Sequence, residues 1–327
     1  MRAPGFWFNP PDHPGLAARL LAPLGLAYGA ATARRVAAPG YRAKIPVICI
    51  GNFNVGGTGK TPTAIALIER LTARGSRVAV VSRGYGGSLA GPLAVVESRH
   101  KASEVGDEPL LLSAFAPTFI GHDRAAAVQL AEASGAEVIL LDDGFQNPSV
   151  IKDLSIVVVD AAQGFGNGLC LPAGPLREPV TTGLERADLV LSIGNPAAQT
   201  TFAATWPLPK PMITAELVPL QMGMDWRGAR VIAFAGIGNP QKFFATLRGE
   251  GANLLRTVAL DDHQPLAEAL ILRLQLEALA KGAQLVTTEK DAVRLPQKLR
   301  TEVLTLVVRL RLPDWSMLDA AFAKLGL

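Results

Sequence analysis

The chain has little charge and little cysteine. Charged residues make up 18% of its 327 residues, whereas ordinary soluble domains carry about 25%. Its mean hydropathy is +0.26, so we expect some apolar surface to face something other than water. The two cysteines, Cys49 and Cys170, are too few for a disulfide framework and form no metal-ligand cluster. Cys49 lies in an apolar run and is predicted to be a core residue.

Long apolar runs are also absent. No stretch of about 20 consecutive apolar residues occurs, so the sequence predicts no ordinary transmembrane helix. No short apolar core is followed by a small-residue cleavage site, so it predicts no signal peptide. The protein is therefore expected to stay on the cytoplasmic side of the membrane. At 327 residues the chain is long enough for two domains of ordinary size.

Positive charge is missing from most of the chain and is concentrated at its start. Residues 1–44 carry six basic residues and one acidic residue, whereas the remaining chain carries 26 basic and 27 acidic residues. A body without net positive charge argues against nucleic-acid binding, and the basic segment favours an arm that meets an anionic partner. The six basic residues are Arg2, Arg19, Arg34, Arg35, Arg42 and Lys44.

Residues 1–43 form this arm. It contains the aromatic cluster Phe6–Phe8 and a charge-free segment from Leu20 to Ala33. A spacing of four residues predicts a helical stripe, made of Leu16, Leu20, Leu24 and Tyr28. The charge-free segment would span about 21 Å as a helix, less than the ~30 Å hydrocarbon core, which favours an amphipathic helix lying in a membrane interface. Two alternatives stay open: a helix packed on the protein's own body, and a surface that pairs with another subunit.

The segment Asn54–Thr61 reads Asn-Val-Gly-Gly-Thr-Gly-Lys-Thr. It follows the apolar run Pro46–Ile50 and precedes a helical pattern at Thr63–Arg74, which is the order of strand, phosphate-binding loop and helix. Lys60 is predicted to reach the β- and γ-phosphates of ATP, and the Thr61 hydroxyl to bind Mg²⁺. The full pattern has glycine at position 54, where this chain has an asparagine, a residue that tolerates a left-handed backbone. The predicted nucleotide-binding residues of the loop are Asn54, Val55, Gly56, Gly57, Thr58, Gly59, Lys60 and Thr61.

Short apolar runs alternate with helical patterns beyond residue 44, as in a parallel sheet covered on both faces. We predict a doubly wound α/β fold of the P-loop NTPase type over residues 44–195, a connecting segment at 196–228 and a smaller α/β domain at 229–327. Its predicted strands are Val47–Ile50, Val78–Ser82, Leu93–Val96, Val138–Leu141, Ile156–Asp160, Leu189–Ile193, Val231–Ala235, Leu285–Thr288 and Val303–Val308. Its predicted helices are Thr63–Arg74, Pro109–Phe115, Arg124–Ser134, part of Gly183–Arg186, Gln241–Arg248 and Trp315–Leu325.

Acidic residues follow one of these strands. Asp142 and Asp143 come directly after Val138–Leu141, and a carboxylate at the carboxyl end of a sheet strand points at the ligand crevice. Mg²⁺ prefers one or two carboxylates together with water and phosphate oxygens. Thr61, Asp142 and Asp143 are therefore the predicted metal ligands.

Phosphoryl transfer also needs cations near the developing charge and a base for the acceptor. The loop residues Arg83, Arg124 and Arg177 are candidate cations, and Asp107 and His263 are candidate bases. The segment Gly236–Gly238 lacks the third glycine and the later acid of a dinucleotide site, so we expect an ordinary strand–turn–helix corner there.

Seven segments, taken in order, resemble the tetraacyldisaccharide 4'-kinase family. They cover nearly the whole chain: Asn54–Pro62, Ser82–Gly87, Gly106–Pro109, Asp142–Gln146, Leu171–Pro179, Asp262-His263 and Thr288–Val293. The resemblance implies a membrane-associated lipid kinase of lipid A biosynthesis, on the cytoplasmic face of the bacterial inner membrane. It would transfer the γ-phosphate of ATP to the 4'-hydroxyl of a tetraacylated glucosamine disaccharide 1-phosphate. It leaves the acyl-chain pattern and the oligomeric state open.

The resemblance also implies roles for single residues. Lys60 and Thr61 would bind phosphate and Mg²⁺, with Asp143 completing the metal site. Asp107 would be the base for the 4'-hydroxyl, and His263 its partner across a cleft between two domains. Arg124, Gln146 and Arg177 match positions that line the site. This chain has Asn147 where the family usually has histidine, so a proton-transfer role at that position is not expected here.

Two rival functions remain. A soluble P-loop ATPase of the partition or metallochaperone type also carries Gly-Gly-x-Gly-Lys-Thr, but it usually has an extra lysine early in the loop, where this chain has Val55. A nucleotide-gated membrane-binding module would keep ATP binding and membrane association after loss of Asp107 and His263.

Overall fold

The computed structural model describes residues 3–327, so Arg2 of the basic arm lies outside the described residues. Thirteen strands are assigned in this part of the chain: β1 Val47–Gly51, β2 Val78–Ser82, β3 Leu93–Ala94, β4 Thr118–Ile120, β5 Val138–Asp142, β6 Leu154–Asp160, β7 Leu189–Ile193, β8 Met212–Pro219, β9 Arg230–Ala235, β10 Asn253–Ala259, β11 Gln284–Thr288, β12 Leu304–Leu306 and β13 Val308–Arg311.

Eleven α-helices are assigned in the same residues: α1 Leu16–Val36, α2 Lys60–Ala73, α3 Ala102–Val105, α4 Asp107–Leu112, α5 Arg124–Ala133, α6 Val180–Glu185, α7 Pro196–Thr205, α8 Pro240–Gly249, α9 Glu268–Ala280, α10 Glu289–Ala292 and α11 Ser316–Lys324. Short 3₁₀ helices cover Gly5–Phe8 and Gln297–Glu302.

The larger sheet has nine strands in the order β13-β8-β7-β6-β1-β5-β2-β4-β3. All neighbours are parallel except the two edge pairs, β13 with β8 and β3 with β4. Every residue of β1, β5, β6 and β7 is buried, because these valine-, isoleucine- and leucine-rich strands are covered on both faces. One face packs against α2 and α11, and the other against α5 and an aromatic group of Phe53, Phe145 and Phe165. The predicted doubly wound α/β class is confirmed.

The smaller sheet has four parallel strands in the order β10-β9-β11-β12. Alternate residues of β9 serve its two faces: Val231, Ala233 and Ala235 pack with α8, whereas Ile232 and Phe234 pack with α9. This alternation is the period of two that a strand imposes on its side chains.

Residues 196–228, expected only to connect two domains, contain α7 and β8. Strand β8 pairs in parallel with β7 and therefore extends the larger sheet. The few charges and many proline, threonine and glutamine residues indicated a linker, but Asn195 caps α7 and β8 buries alternate residues at its start. The domain limits themselves stay a prediction.

The chain returns to the larger sheet at its end. The predicted strand Val303–Val308 is divided between β12 in the smaller sheet and β13 in the larger one. Helix α11 then packs beside α2, where Phe322 is fully buried and Asp319 pairs with Arg70. Residues 308–324 therefore belong structurally with the larger sheet, although the sequence grouped them with the second domain.

Helix α1 is longer than the charge-free segment predicted. It runs unbroken for 21 residues through Pro23, and by length and apolar composition alone it could cross a membrane. Its small residues face the protein: an added Cβ at Gly25 would lie 2.8 Å from the Cys170 carbonyl oxygen, and one at Gly29 would lie 3.3 Å from Pro179. Its leucines face outward, with Leu16, Leu20 and Leu26 each more than 70% exposed.

Candidate active site

The phosphate-binding loop joins β1 to α2, and two of its glycines require a left-handed backbone. Gly56 and Gly59 have φ of +112° and +100°, a backbone conformation that residues with a side chain rarely adopt. A Cβ added at Gly56 or Gly57 would meet nothing within 4 Å, so this part of the loop faces open space. Backbone N–H groups at such a turn, followed by a helix N-terminus, suit a phosphate.

Lys60 begins α2 and is held over the loop. Its ammonium donates to Asn52 Oδ1 at 3.2 Å and lies 3.6 Å from Asp143 Oδ1. The loop borders a cavity that Thr58 and Thr61 also line. The buried Thr58 hydroxyl has no hydrogen-bond partner among residues 3–327. The loop therefore offers one cation and two hydroxyls to a ligand.

Asn54 differs from the other predicted loop residues. Its side chain is buried, and its amide donates to the Gly164 carbonyl at 3.0 Å, away from the cavity. Next to it, the Val55 N–H donates to the Pro175 carbonyl at 2.8 Å. The asparagine therefore ties the loop to the neighbouring segment and does not face the ligand space.

Asp142 and Asp143 lie where β5 ends beside β1, and Asp142 is in register with Ile50. Burial raises the pKa of Asp143, but the charges of Lys60 and Arg177 outweigh it and hold that pKa below its ordinary range. Arg177 Nη1 donates to both Asp143 oxygens, at 3.0 and 3.1 Å. Asp143 is thus an ionised carboxylate on the cavity wall.

Asp142 is placed differently from its neighbour. It is fully buried behind the cavity wall, and Ser82 Oγ donates to its Oδ2 at 3.2 Å. Burial raises its pKa to about 7, and its Oδ1 has no partner among the described residues. A cation near this oxygen would compensate its burial.

These donors fit Mg²⁺. Asp143 and Thr61 line the cavity, and Asp142, the residue before Asp143, has one buried oxygen without a partner among the described residues. Within residues 3–327, no three histidine, cysteine or acidic residues are grouped as a complete metal cage. Mg²⁺ usually takes most of its ligands from water and phosphate.

Across the cavity, His263 meets Asp107. Asp107 begins α4, in the part of the chain built on the larger sheet (the larger-sheet unit). His263 follows β10, in the part built on the smaller sheet (the smaller-sheet unit). His263 Nδ1 lies 3.0 Å from Asp107 Oδ2. The close contact with Asp107 raises the pKa of His263. Burial raises the pKa of Asp107, but His263 and Lys290 outweigh it and leave that pKa lowered. His263 lines the cavity, whereas Asp107 is 3% exposed and lies behind it.

Several neighbours hold this pair. Lys290 Nζ donates to Glu108 Oε1 at 3.1 Å and lies 3.4 Å from His263 Nε2. Arg294 Nε is 3.8 Å from Asp107 Oδ2. The ring of Tyr85 meets the His263 ring edge-on, with centroids 5.4 Å apart. The family resemblance includes Thr288–Val293 but implies no role for it, whereas the structure places Lys290 of this segment against Glu108.

Three further predicted residues line the same cavity. Arg124 is buried, its Nη1 donates to the Gly121 carbonyl at 2.6 Å, and burial lowers its pKa to about 10. Arg177 is the partner of Asp143 described above. Gln146 Nε2 donates to the Asn52 carbonyl at 2.8 Å and to Glu178 Oε1 at 2.9 Å, so its amide nitrogen fastens protein groups together.

One cavity of about 780 Å³ brings most of these groups together. Of the residues predicted from sequence, Val55–Thr61, Arg124, Asp143, Gln146, Arg177 and His263 line it, whereas Asn54, Asp107 and Asp142 lie behind its wall. Groups not predicted from sequence also line it. Among them are Asp160 at the end of β6 and Lys242 in α8, and Lys242 Nζ lies 3.2 Å from Asp160 Oδ2. Buried Asn52, which orients Lys60, was missed because asparagine inside an apolar segment indicates no function by itself.

A family model described as tetraacyldisaccharide-1-P 4'-kinase matches residues 17–325. The chain belongs to the tetraacyldisaccharide-1-P 4'-kinase family. It is 62% identical to the tetraacyldisaccharide 4'-kinase of Dinoroseobacter shibae over 99% of this chain and 98% of that one. It is 58% identical to that of a Jannaschia species, over 99% of both chains.

A solved structure of the family shares the fold. It is LpxK from Aquifex aeolicus in complex with ATP, with a TM-score of 0.72 and 25% identity over 95% of this chain and 99% of that one. In the present chain, the Asn147 side chain is bound within its own turn. Its Oδ1 accepts hydrogen bonds from Ser149 N at 2.8 Å and from Ser149 Oγ at 2.6 Å.

Proposed function

We propose that this protein transfers the γ-phosphate of ATP to the 4'-hydroxyl of a tetraacyldisaccharide 1-phosphate in lipid A biosynthesis. The observation that carries the proposal is one cavity lined by the phosphate-binding loop on one side and by His263, in contact with Asp107, on the other. Family membership supports the substrate, and the likeness to a structure in complex with ATP supports the nucleotide. The soluble ATPase reading is not favoured.

The phosphate-binding loop accounts for the electrostatic part of the reaction. Lys60 and the loop N–H groups would bind the β- and γ-phosphates, and Arg124 and Arg177 would offset charge as it moves onto the transferred group. Mg²⁺, when bound by Thr61 and Asp143 with Asp142 behind them, would neutralise phosphate charge. Asp143 is already ionised through Lys60 and Arg177, so it needs no proton loss to act as a ligand.

The acceptor hydroxyl must lose a proton, and we assign that step to the Asp107–His263 pair. Asp107 is kept ionised by its cationic neighbours, which suits the base predicted from sequence. The imidazole of His263 stands between this carboxylate and the cavity. The pair can therefore take the proton of the hydroxyl at the cavity wall. Lys290, paired with Glu108, lies 3.4 Å from Nε2 of this ring.

Helix α1 and the aromatic residues before it would hold the enzyme at a membrane surface. A lipid with several acyl chains cannot leave a bilayer cheaply, since each exposed CH₂ costs about 0.8 kcal/mol. The outward leucines of α1 would enter the interface, and Arg34 and Arg35 in its last turn would favour anionic headgroups at about 1 kcal/mol per basic group. We assign the protein to the cytoplasmic face of the inner membrane, where ATP is present.

The experiment that tests the function uses purified protein in detergent with ATP, Mg²⁺ and a tetraacyldisaccharide 1-phosphate. Label from the γ-phosphate is followed into the lipid fraction. We expect transfer in the wild type and none in Lys60→Ala. In Asp107→Asn and His263→Gln we expect nearly unchanged ATP binding and a loss of transfer of about 10²-fold or more.

The outcomes separate the rival functions. If no label enters the lipid while ATP is still hydrolysed in the presence of a partner protein, the kinase assignment is wrong. If both Asp107→Asn and His263→Gln turn over normally, the function stands but the assigned base is wrong.

A further inference from the structure

We propose that Arg35, with the side-chain amide of Asn147, binds the 1-phosphate of the lipid and thereby makes the enzyme selective for a phosphorylated disaccharide. The inference rests on the proposed function, since it names how one end of that substrate is held. It concerns the part of the cavity lined by Tyr28 and Arg35 of α1 and by Asn147.

Most cationic side chains of the cavity are already in use. Lys60 and Arg177 contact Asp143, Lys242 contacts Asp160, and Lys290 contacts Glu108. Arg35 also lines the cavity, but no carboxylate of residues 3–327 lies within 4.0 Å of its guanidinium. It is therefore available to an anionic ligand.

Two other cavity-lining arginines, Arg124 and Arg83, have no ion-pair partner in the described chain either, and Arg83 serves a different region. It lies close enough to Arg124 for its charge to lower the pKa of that residue, and Tyr85, two residues further on, touches His263. Arg83 thus belongs with the groups around the transferred phosphate. Arg35, in the last turn of α1, remains as the cation for a second, separate phosphate.

Asn147 adds a neutral donor to the same cavity. Its Oδ1 accepts from both the backbone N–H and the hydroxyl of Ser149, so its two Nδ2 hydrogens are left for another partner. Asn147 lines the same cavity as Arg35 and Tyr28. Guanidinium and amide hydrogens are donors without an acceptor, which is the chemistry that recognises a phosphate.

The helix itself leads an amphiphile to this point. At 100° per residue, Leu20, Leu24, Tyr28 and Arg35 fall within an arc of about 80° on α1, over a length of about 22 Å. The two leucines are exposed by 72% and 58%, whereas Tyr28 and Arg35 line the cavity. A lipid whose acyl chains lie along the leucines would place its phosphorylated sugar at Tyr28 and Arg35. Its other sugar would extend into the cavity toward His263.

The test compares two acceptors, the tetraacylated disaccharide with and without its 1-phosphate, in neutral detergent micelles that contain no anionic lipid. Wild-type kcat/KM should be at least about tenfold higher for the phosphorylated lipid. In Arg35→Gln this preference should be nearly lost, through a higher KM for the phosphorylated lipid and little change for the other. Asn147→Asp, which keeps the acceptor for Ser149 but adds a negative charge, should lower the preference as well.

Arg34→Gln is the matched control, because it removes the same charge from the same turn of α1 at a residue that does not line the cavity. It should keep the wild-type preference. If Arg35→Gln and Arg34→Gln keep the same preference, Arg35 serves only general attraction to anionic surfaces and the proposal is overturned. If the wild type phosphorylates neither lipid, the proposed function itself fails, which is a distinguishable result.

Discussion

At the scale of single residues, two positions have a backbone conformation that costs energy. Asp143 and His263 have φ of +50° and +58°, the left-handed region that non-glycine residues rarely occupy. Both are candidate site residues, and both are fixed by charged partners: Lys60 and Arg177 for Asp143, Asp107 for His263. Strain retained at such positions is typical of functional sites. The motif could indicate these residue types, but not the contacts that hold them.

The Asp107–His263 pair should make stability depend on pH. Because Asp107 raises the pKa of His263, the protonated imidazole stabilises the fold below its ordinary pKa of about 6.5. This contribution is lost as the pH rises through the raised folded-state value. The difference in unfolding free energy between wild type and Asp107→Asn, measured by urea denaturation, should therefore shrink as the pH rises from about 6 through the raised pKa of His263.

An NMR titration of His263 provides the direct check on that pair. Its pKa should lie above the ordinary value in the wild type and fall in Asp107→Asn. Equal titration in the two proteins would mean that Asp107 does not govern the charge of His263.

We expect substitutions of Gln146 to affect the stability of the fold more than ATP binding. Its amide nitrogen donates to Glu178 Oε1, and Glu178 is 1% exposed, with Arg186 as its ion-pair partner. Gln146→Glu would place a second carboxylate against Glu178, and we expect a loss of about 2–4 kcal/mol in unfolding free energy. Gln146→Leu removes the hydrogen bonds without adding charge and should cost less. Equal losses in urea denaturation would show that charge repulsion is not the cause.

At the scale of elements, local patterns were enough where one segment forms a whole unit. The strand, loop and helix around Asn54–Thr61 and the acids at the end of β5 could be predicted. The spacing of glycine, lysine and carboxylate residues in these segments is itself typical of a phosphate-binding site. The pairing of β13 with β8 could not be predicted, since it depends on contacts between segments about 90 residues apart in sequence. Helix α9 was missed because its leucines surround the helix without a clean apolar stripe.

Helix α1 gives a prediction at this scale. Leu20→Ser together with Leu24→Ser removes two outward side chains, each of which contributes about 1.5–3 kcal/mol when fully buried. Partition onto liposomes that contain anionic lipid should fall by at least about tenfold, as measured by sedimentation. The thermal midpoint should change little, because both side chains are exposed in the folded protein.

A second leucine pair provides the control for that experiment. Leu272 and Leu276 of α9 are also exposed, by 40% and 68%, but they lie on the smaller-sheet unit. Leu272→Ser with Leu276→Ser should leave liposome binding unchanged. Equal losses in the two double variants would mean that membrane contact is not specific to α1.

At the scale of the whole molecule, the two sheets meet over the phosphate-binding loop. Lys242 and Lys290 of the smaller-sheet unit pair with Asp160 and Glu108 of the larger one. The turn after β9 comes close to the loop, because a Cβ added at Gly238 would lie 3.2 Å from the Gly57 nitrogen. The segment Gly236–Gly238, which does not match a dinucleotide-binding motif, is thus a turn at which the two units approach each other. Sequence alone could not reveal it, since the constraint comes from the other unit.

This close approach should control catalysis more than ATP binding. Gly238→Val would push the smaller-sheet unit away from Gly57 and move His263 relative to the loop. Because a misplacement of about 1 Å can cost about 10²-fold in rate, we expect kcat to fall by at least tenfold, while ATP affinity measured by calorimetry changes only a few-fold. Gly249→Val adds the same side chain at a site with nothing within 4 Å and should retain kcat. Wild-type kcat in Gly238→Val would mean that contact between the two units at this turn is not needed for phosphoryl transfer.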